Sequence, residues 1–227
     1  MKVSIQIPVF SVTDFLCDAI ESIYRQTYKD YEIIVIDDGA AADIPAILAP
    51  YPDVIYYRQE HKGVAAARNR AIELSGGEVI AFLDADDLWD ESKLKKQTDY
   101  LKAHPECEIV FSGTENFTGL HREAMTDRQR QLFDTEISKY LGSSCVRRSV
   151  FENYGSYQES YEYGEDTELM ARFAAAGVSM EHCLKDKLYF RRIHEDNMSL
   201  LHKNVGKTEY LKLLAAAFRK AKNSKEN

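Results

Sequence analysis

Residues 84–87 read Asp84-Ala85-Asp86-Asp87 and follow directly on an apolar run over residues 79–83. Three carboxylates at the end of a buried strand need a partner. In an extended chain residues i and i+2 share a side, so Asp84 and Asp86 face one ligand and Asp87 faces elsewhere. The carboxyl ends of strands are where open α/β sheets bind ligands. Two neighbouring carboxylates repel each other unless positive charge lies between them. A hard divalent cation meets that need, and Mn2+ or Mg2+ would keep water and substrate phosphate oxygens in its shell. The competing use is a polar turn in which Asp87 or Asp90 caps the helix beginning near Glu91. Asp90 is assigned to that turn and Asp86 to a metal.

Other segments carry the same kind of double reading. Asp37-Asp38-Gly39 ends a second strand, where a carboxylate accepts from a base ring N–H or simply closes a turn. Arg68 falls near the buried face of a helix over residues 63–74, so it needs a carboxylate or a phosphate. Asp37 or Asp84 is the structural partner, and a ligand is the functional one. Gly164-Glu165-Asp166 opens a helix, where acidic residues also suit the dipole. Arg191-Arg192-Ile193-His194 ends the last strand, as a diphosphate clamp or as a solvated edge.

The elements that must position these residues are legible in the periodicity. Strands are expected over residues 3–9, 31–36, 54–58 and 79–83, and helices over 12–24, 43–48, 63–74 and 91–103. Strict alternation of this kind implies an α/β fold with a mostly parallel sheet flanked by helices. A fifth strand is expected over 107–112. Residues 115–137 are polar and poorly periodic, as in a functional loop or lid. A strand within 142–150, a helix over 165–176 with Gly177 at its C-terminus and a strand over 186–193 follow. Residues 204–222 are expected to form an amphipathic helix with Tyr210, Leu213, Leu214, Ala217 and Phe218 on one side. It docks on the core or makes peripheral contact with a membrane.

The bulk numbers bound the function. The chain has 227 residues, 44% hydrophobic and 29% charged, with a net charge of −8. That balance argues against nucleic acid as the main partner. Cys17, Cys107, Cys145 and Cys183 include no C-x-x-C pair, as expected of free thiols in a reducing compartment. No signal peptide pattern and no apolar run of membrane-spanning length is seen, so the expected location is cytoplasmic.

In order and spacing, these segments resemble the family 2 glycosyltransferases of GT-A fold, over about residues 3–200. The resemblance rests on Ser22-Ile23-Tyr24-Arg25-Gln26-Thr27-Tyr28, on residues 31–39 ending in Asp37-Asp38-Gly39, and on Gly63 with Ala67-Arg68-Asn69. Phe82-Leu83-Asp84-Ala85-Asp86-Asp87, Gly142-Ser143-Ser144, Gly164-Glu165-Asp166 and Tyr189-Phe190-Arg191-Arg192-Ile193-His194 complete it.

What the resemblance implies is a single Rossmann-like domain that moves a sugar from a nucleotide diphosphate donor to an acceptor hydroxyl with inversion. Residues 1–112 would form the donor half, 113–200 the acceptor half and 201–227 the terminal helix and tail. Asp38 would hydrogen-bond the base of a uridine donor and Arg68 would line the nucleotide pocket. Pro8, Phe10, Gly63, Ala85 and Arg191 would complete the donor contacts. Asp84 would meet the ribose or the metal shell, Asp86 would bind Mn2+ or Mg2+, and His194 would assist at the metal or diphosphate. Asp166 would be the general base. The acceptor would be a glycan or lipid-linked glycan of cell-surface polysaccharide synthesis. Two stretches depart from the family pattern. Phe10-Ser11 stands where Tyr-Asn is common, and Ala40-Ala41-Ala42-Asp43 replaces a shorter Ser-Thr-Asp.

Two other readings compete. One is a nucleotide-sugar-binding module without turnover, motivated by the altered loop at residues 40–42. The other is a phosphatase resembling the haloacid dehalogenases, which also carry strand-Asp-x-Asp. Leu88 stands where that motif has Thr or Val, and the motif here follows the fourth strand rather than the first.

Overall fold

A computed structural model describes residues 1–11, 15–119, 140–161, 163–194 and 197, with the backbone alone for 181–184. The first half alternates as its periodicity demands. β1 (Val3–Val9), α1 (Leu16–Tyr24), β2 (Tyr31–Asp37), α2 (Ile44–Leu48), β3 (Val54–Arg58), α3 (Val64–Leu74) and β4 (Val79–Phe82) follow in turn. β5 (Leu88–Trp89), α4 (Lys93–Ala103), β6 (Ile109–Thr118), β7 (Cys145–Arg147), α5 (Arg148–Tyr154), α6 (Glu165–Ala176) and β8 (Met180–Ile193) complete the order.

One sheet runs β3-β2-β1-β4-β7-β6-β8-β5. From β3 to β4 every pairing is parallel. β7 then enters antiparallel to both β4 and β6. β8 is parallel to β6, and β5 is antiparallel to β8. The sheet is thus a parallel half joined to a mixed half; β2 and β4 are nearly continuous apolar runs because both faces are covered, while the edge strand β3 leaves Ile55 and Tyr57 exposed. On one face α1 buries Leu16, Ile20 and Ile23 with Ile5, Ile7 and Val35. On the other, α3 presents Ala67 and Ala71 to Ile34 and Ile36, small side chains that let the helix lie close to the strands.

Several expectations are corrected here. The strand expected within 142–150 is the short β7, preceded by a 3-10 turn (Leu141–Ser143) and cut off at Arg147 by α5. α5 is helical because Val150 and Phe151 sink together beside Phe82 and Phe173, and Gly155, at φ 81°, ends it. Residues 115–118, read as loop, continue β6, because Glu115 to Thr118 pair with Phe190 to Ile193. α4 starts at Lys93 rather than residue 91, since Leu88 and Trp89 are held as a strand by Phe190 and Tyr189. The helices expected at 12–14 and 204–222, and the loop from 120 onward, lie outside the described residues. Among those described, no helix is long and apolar enough to cross a membrane.

Candidate active site

β4 delivers its carboxylates to a tight turn closed by a bond from Asp87 N to Asp84 O at 3.1 Å. The three side chains then part company. Asp84 accepts from Arg68 Nη2 at 3.1 Å on one oxygen and from Tyr140 Oη at 2.5 Å on the other. Asp86 Oδ2 lies 2.8 Å from His194 Nε2 and 3.3 Å from Asn197 Nδ2. Asp87 points into the core, bound by Tyr189 Oη at 2.5 Å and by the backbone N–H of Arg192 at 2.7 Å.

Negative charge is under-compensated in this turn. Burial, and then the Asp84 charge, push the Asp86 carboxyl above its ordinary value, while His194 pulls it down. Asp87 is pushed well up by burial and by Asp86 and Asp84. A cation here would relieve both effects. Asp86 and His194 offer an oxygen and a nitrogen donor of the type that Mn2+ accepts. Among the described residues no cluster of three or more His, Cys, Asp or Glu is arranged around one point. Two protein donors would leave places for water and phosphate oxygens, as small divalent ions favour. On that donor set the residues fit the expected metal. Asp84, expected at the ribose or in the metal shell, is held by Arg68 and Tyr140.

Arg68 is the hub of the second cluster. It comes from α3, is 6% exposed, and its guanidinium meets three carboxylates. Nη2 donates to Asp84, and Nη1 donates to Glu165 at 3.0 Å and to Asp166 at 2.5 Å. Of the two structural partners offered by the sequence, it takes Asp84; Asp37 is taken by Arg58. Glu165 and Asp166 stand in the first turn of α6, entered through Gly164 at φ 81°. Burial pushes the Asp166 carboxyl up to about 7, against the pull of Arg68, with Glu165 and Asp84 adding to the rise. Its side chain keeps 29% of its surface exposed, so solvent and substrate reach a carboxylate whose inner edge is enclosed. A group poised near neutrality and open on one side is suited to accept a proton.

The end of β2 is built differently. Asp37 accepts from Ala40 N, Tyr56 Oη and Arg58 Nη1. Asp38 accepts from Gln59 Nε2, Lys62 N, Gly63 N and His61 Nδ1, all within 2.8–2.9 Å. The oxygens expected to read a base N–H are thus already engaged by the loop over residues 59–63. Beside them Phe10 stacks on His61, with ring centroids 3.9 Å apart and planes 13° from parallel. Phe10 is 46% exposed and borders an open pocket of about 490 Å³ lined with Ser11, Gly39, Ala41 and Ala42.

The remaining expected contacts scatter around these clusters. Gly63, at φ 91°, opens α3 beneath Asp38. Pro8 lies in β1 opposite Ile36. Ala85 is buried in the core. The Arg191 guanidinium sits 5.9 Å from the centre of the Tyr140 ring. The sequence reading missed Tyr140, Tyr189 and Asn197. Tyr189 lay in plain view inside a quoted motif, but its contact with Asp87 is a tertiary fact.

A family model described as glycosyl transferase family 2 matches residues 4–155. An uncharacterized glycosyltransferase of Rickettsia typhi is 30% identical over 207 residues, covering 85% of this chain and 64% of that protein. The putative teichuronic acid biosynthesis glycosyltransferase TuaG of Bacillus subtilis is 33% identical over 116 residues, covering 49% of this chain and 46% of that one. The chain spans only 19% of the length of a matching glycosyltransferase of Rickettsia felis. Among solved structures, S. aureus TarS in complex with UDP superposes with TM-score 0.71 at 16% identity, covering 96% of this chain and 65% of that one. The mannosyltransferase PcManGT of Pyrobaculum calidifontis, solved with GDP-Man and Mn2+, gives TM-score 0.71 at 18% identity, with 96% and 64% covered. These two likenesses establish the GT-A fold.

Proposed function

The chain belongs to glycosyl transferase family 2, and we propose that it transfers a sugar from a nucleoside diphosphate donor to an acceptor hydroxyl with inversion. The observation that carries this reading is Asp166. It is a carboxyl with a value near 7, open on one side and tied through Arg68 to the acidic turn after β4.

Each residue has a task in the reaction. The nucleobase occupies the pocket beside Phe10, whose exposed face stacks on it. Asp38 keeps the wall of that pocket in place by holding the 59–63 loop, and a uridine donor is the default. Asp86 and His194 would hold Mn2+ or Mg2+, and Arg191 would offer positive charge to the diphosphate. When bound, that ion neutralises charge developing on the leaving diphosphate. Asp166 takes the acceptor proton as the hydroxyl attacks the anomeric carbon from the face opposite the diphosphate. One such displacement inverts the centre. A correctly placed base contributes about 100- to 10,000-fold in rate. Arg68 keeps enough of Asp166 ionised near neutral pH to serve.

The acceptor is proposed as a glycan or lipid-linked glycan of a cell-surface polymer. Support comes from relatives named for teichuronic acid, for minor teichoic acid, and for glucosyl transfer to a GlcNAc-diphosphoundecaprenol. The TarS and PcManGT structures support a nucleotide-sugar donor, and the latter supports Mn2+. The test is nucleotide release from UDP-glucose, UDP-GlcNAc and GDP-mannose with Mn2+, for the wild type and Asp166→Asn. Release by the wild type and its loss in the variant, with donor binding kept, is the expected result. Full turnover in Asp166→Asn would move the base elsewhere.

A further inference from the structure

The segment Gly142-Ser143-Ser144 has no task in the reaction above, yet it lies against the acidic turn. The rings of Tyr140 and Tyr189 meet edge to face, with centroids 5.2 Å apart. Gly142 fills the notch between them. A Cβ there would stand 2.6 Å from Tyr140 Cε1 and 2.8 Å from Tyr189 Cζ and Oη, so one ring would have to move. The two hydroxyls point at different carboxylates of the same turn, Tyr140 at Asp84 and Tyr189 at Asp87, each at 2.5 Å. Burial, and then the neighbouring carboxylates, push both phenols well above their ordinary value, so both stay protonated and donate.

From Asp84 the path continues. Its second oxygen accepts from Arg68 Nη2, and the same guanidinium donates from Nη1 to Asp166. From Asp87 it runs the other way, to the Arg192 backbone N–H, while Arg192 Nε donates to the Asp86 carbonyl at 2.8 Å. A carboxylate held on both oxygens cannot rotate, and a guanidinium fork copies its orientation to the next partner. We propose that Tyr140, seated by Gly142, is a positioning residue for Asp166, acting through Asp84 and Arg68, whereas Tyr189 supports the Asp86–His194 end through Asp87. The inference rests on the base role of Asp166 given above. It gives Tyr140 a hold on the base relayed by Asp84 and Arg68, and it explains why a glycine stands at residue 142.

Tyr140→Phe and Tyr189→Phe both keep their rings, so the notch at Gly142 stays filled and thermal melting reports whether each variant folds. The assay is nucleotide release from UDP-glucose, UDP-GlcNAc and GDP-mannose with Mn2+ and water as acceptor. Tyr140→Phe is expected to lower kcat by about tenfold with donor KM within about twofold, the signature of an interaction that serves the reacting state. In an Asp166→Asn background the same change is expected to add no further loss, since groups acting as a unit are not additive. Tyr189→Phe is expected to raise donor KM instead. Should Tyr140→Phe fail to fold, Gly142→Ala, whose Cβ would meet both rings, is expected to lower kcat and raise donor KM together. An active wild type with unchanged kcat in Tyr140→Phe, or a loss that persists in full on Asp166→Asn, overturns this inference alone. A wild type that releases no nucleotide from any donor overturns the proposed function and this inference with it.

Discussion

β2 and β4 end alike in sequence, each an apolar strand running into adjacent carboxylates, and they end in opposite electrostatic states. At the end of β2 every acid is answered. Asp37 has a tyrosine, an arginine and a backbone N–H, and Asp38 has four donors from one loop. At the end of β4 Asp84 and Asp87 are each held on both oxygens, but a single guanidinium serves Asp84, Glu165 and Asp166, and Asp86 has only an imidazole and a long amide contact among the described residues. The first arrangement staples a loop. The second leaves carboxyls above their ordinary values and open to a cation and a proton donor. What separates a structural strand end from a reactive one is the balance of charge around it, not the presence of aspartates.

The comparison breaks most visibly at Asp166. Asp166→Asn is expected to reduce transfer by about 100- to 10,000-fold while leaving donor binding intact, measured by turnover and calorimetry. The same variant should melt higher at pH 8. The folded value of Asp166, about 7, lies above the ordinary 3.8, so the fold prefers the neutral form. Stability from this group falls as pH rises from about 4 through 7, and a neutral isostere escapes that loss. The melting temperature should rise by about 2–4 °C for each kcal/mol recovered in a chain of this size.

At the proposed metal pair, Asp86 and His194, Asp86→Asn is expected to weaken Mn2+-dependent UDP binding by tenfold or more, roughly the cost of disturbing a ligand or its support. Unchanged binding with Mn2+ would remove Asp86 from that role. The pH dependence gives a third handle. The rate should climb with pH through about 7, as Asp166 loses its proton, and level off above; a flat profile between pH 6 and 8 would exclude it as the base. At the end of β2, Asp38→Asn should cost stability instead, about 1–3 kcal/mol in denaturant unfolding, because loop donors lose their acceptor. The smallest effect is expected of Phe10→Ala. Its ring is nearly half exposed, so stability should hold while UDP affinity drops by about tenfold, the scale of one base–aromatic stack.

The parallel half of the fold was legible because its signals are local. β1, β2, β3 and α3 are set by apolar runs and turn residues within their own spans, and their bounds agree with the periodicity to a residue or so. The mixed half depends on distant partners. β5 is two residues long and exists because Leu88 and Trp89 meet Phe190 and Tyr189. α5 begins at Arg148, inside the span read as strand, and is anchored by Phe151, whose ring meets Phe82 and Phe173. The site divides in the same way. Asp86, His194, Arg68 and Asp166 drew attention as types at telling positions. Tyr140 and Tyr189 did not, because a tyrosine beside an aspartate across the fold leaves no trace in spacing. Nor does sequence reveal that the donors around Asp38 come from the loop after β3.

The most direct test of the contrast between the two strand ends is calorimetric binding of UDP, with Mn2+ and with EDTA, to the wild type, Asp86→Asn and Asp38→Asn. The wild type and Asp38→Asn are expected to bind UDP more tightly with Mn2+ than with EDTA, and this difference is expected to vanish in Asp86→Asn. Wild-type binding indifferent to EDTA, or a metal dependence that survives in Asp86→Asn and disappears in Asp38→Asn, would contradict that contrast.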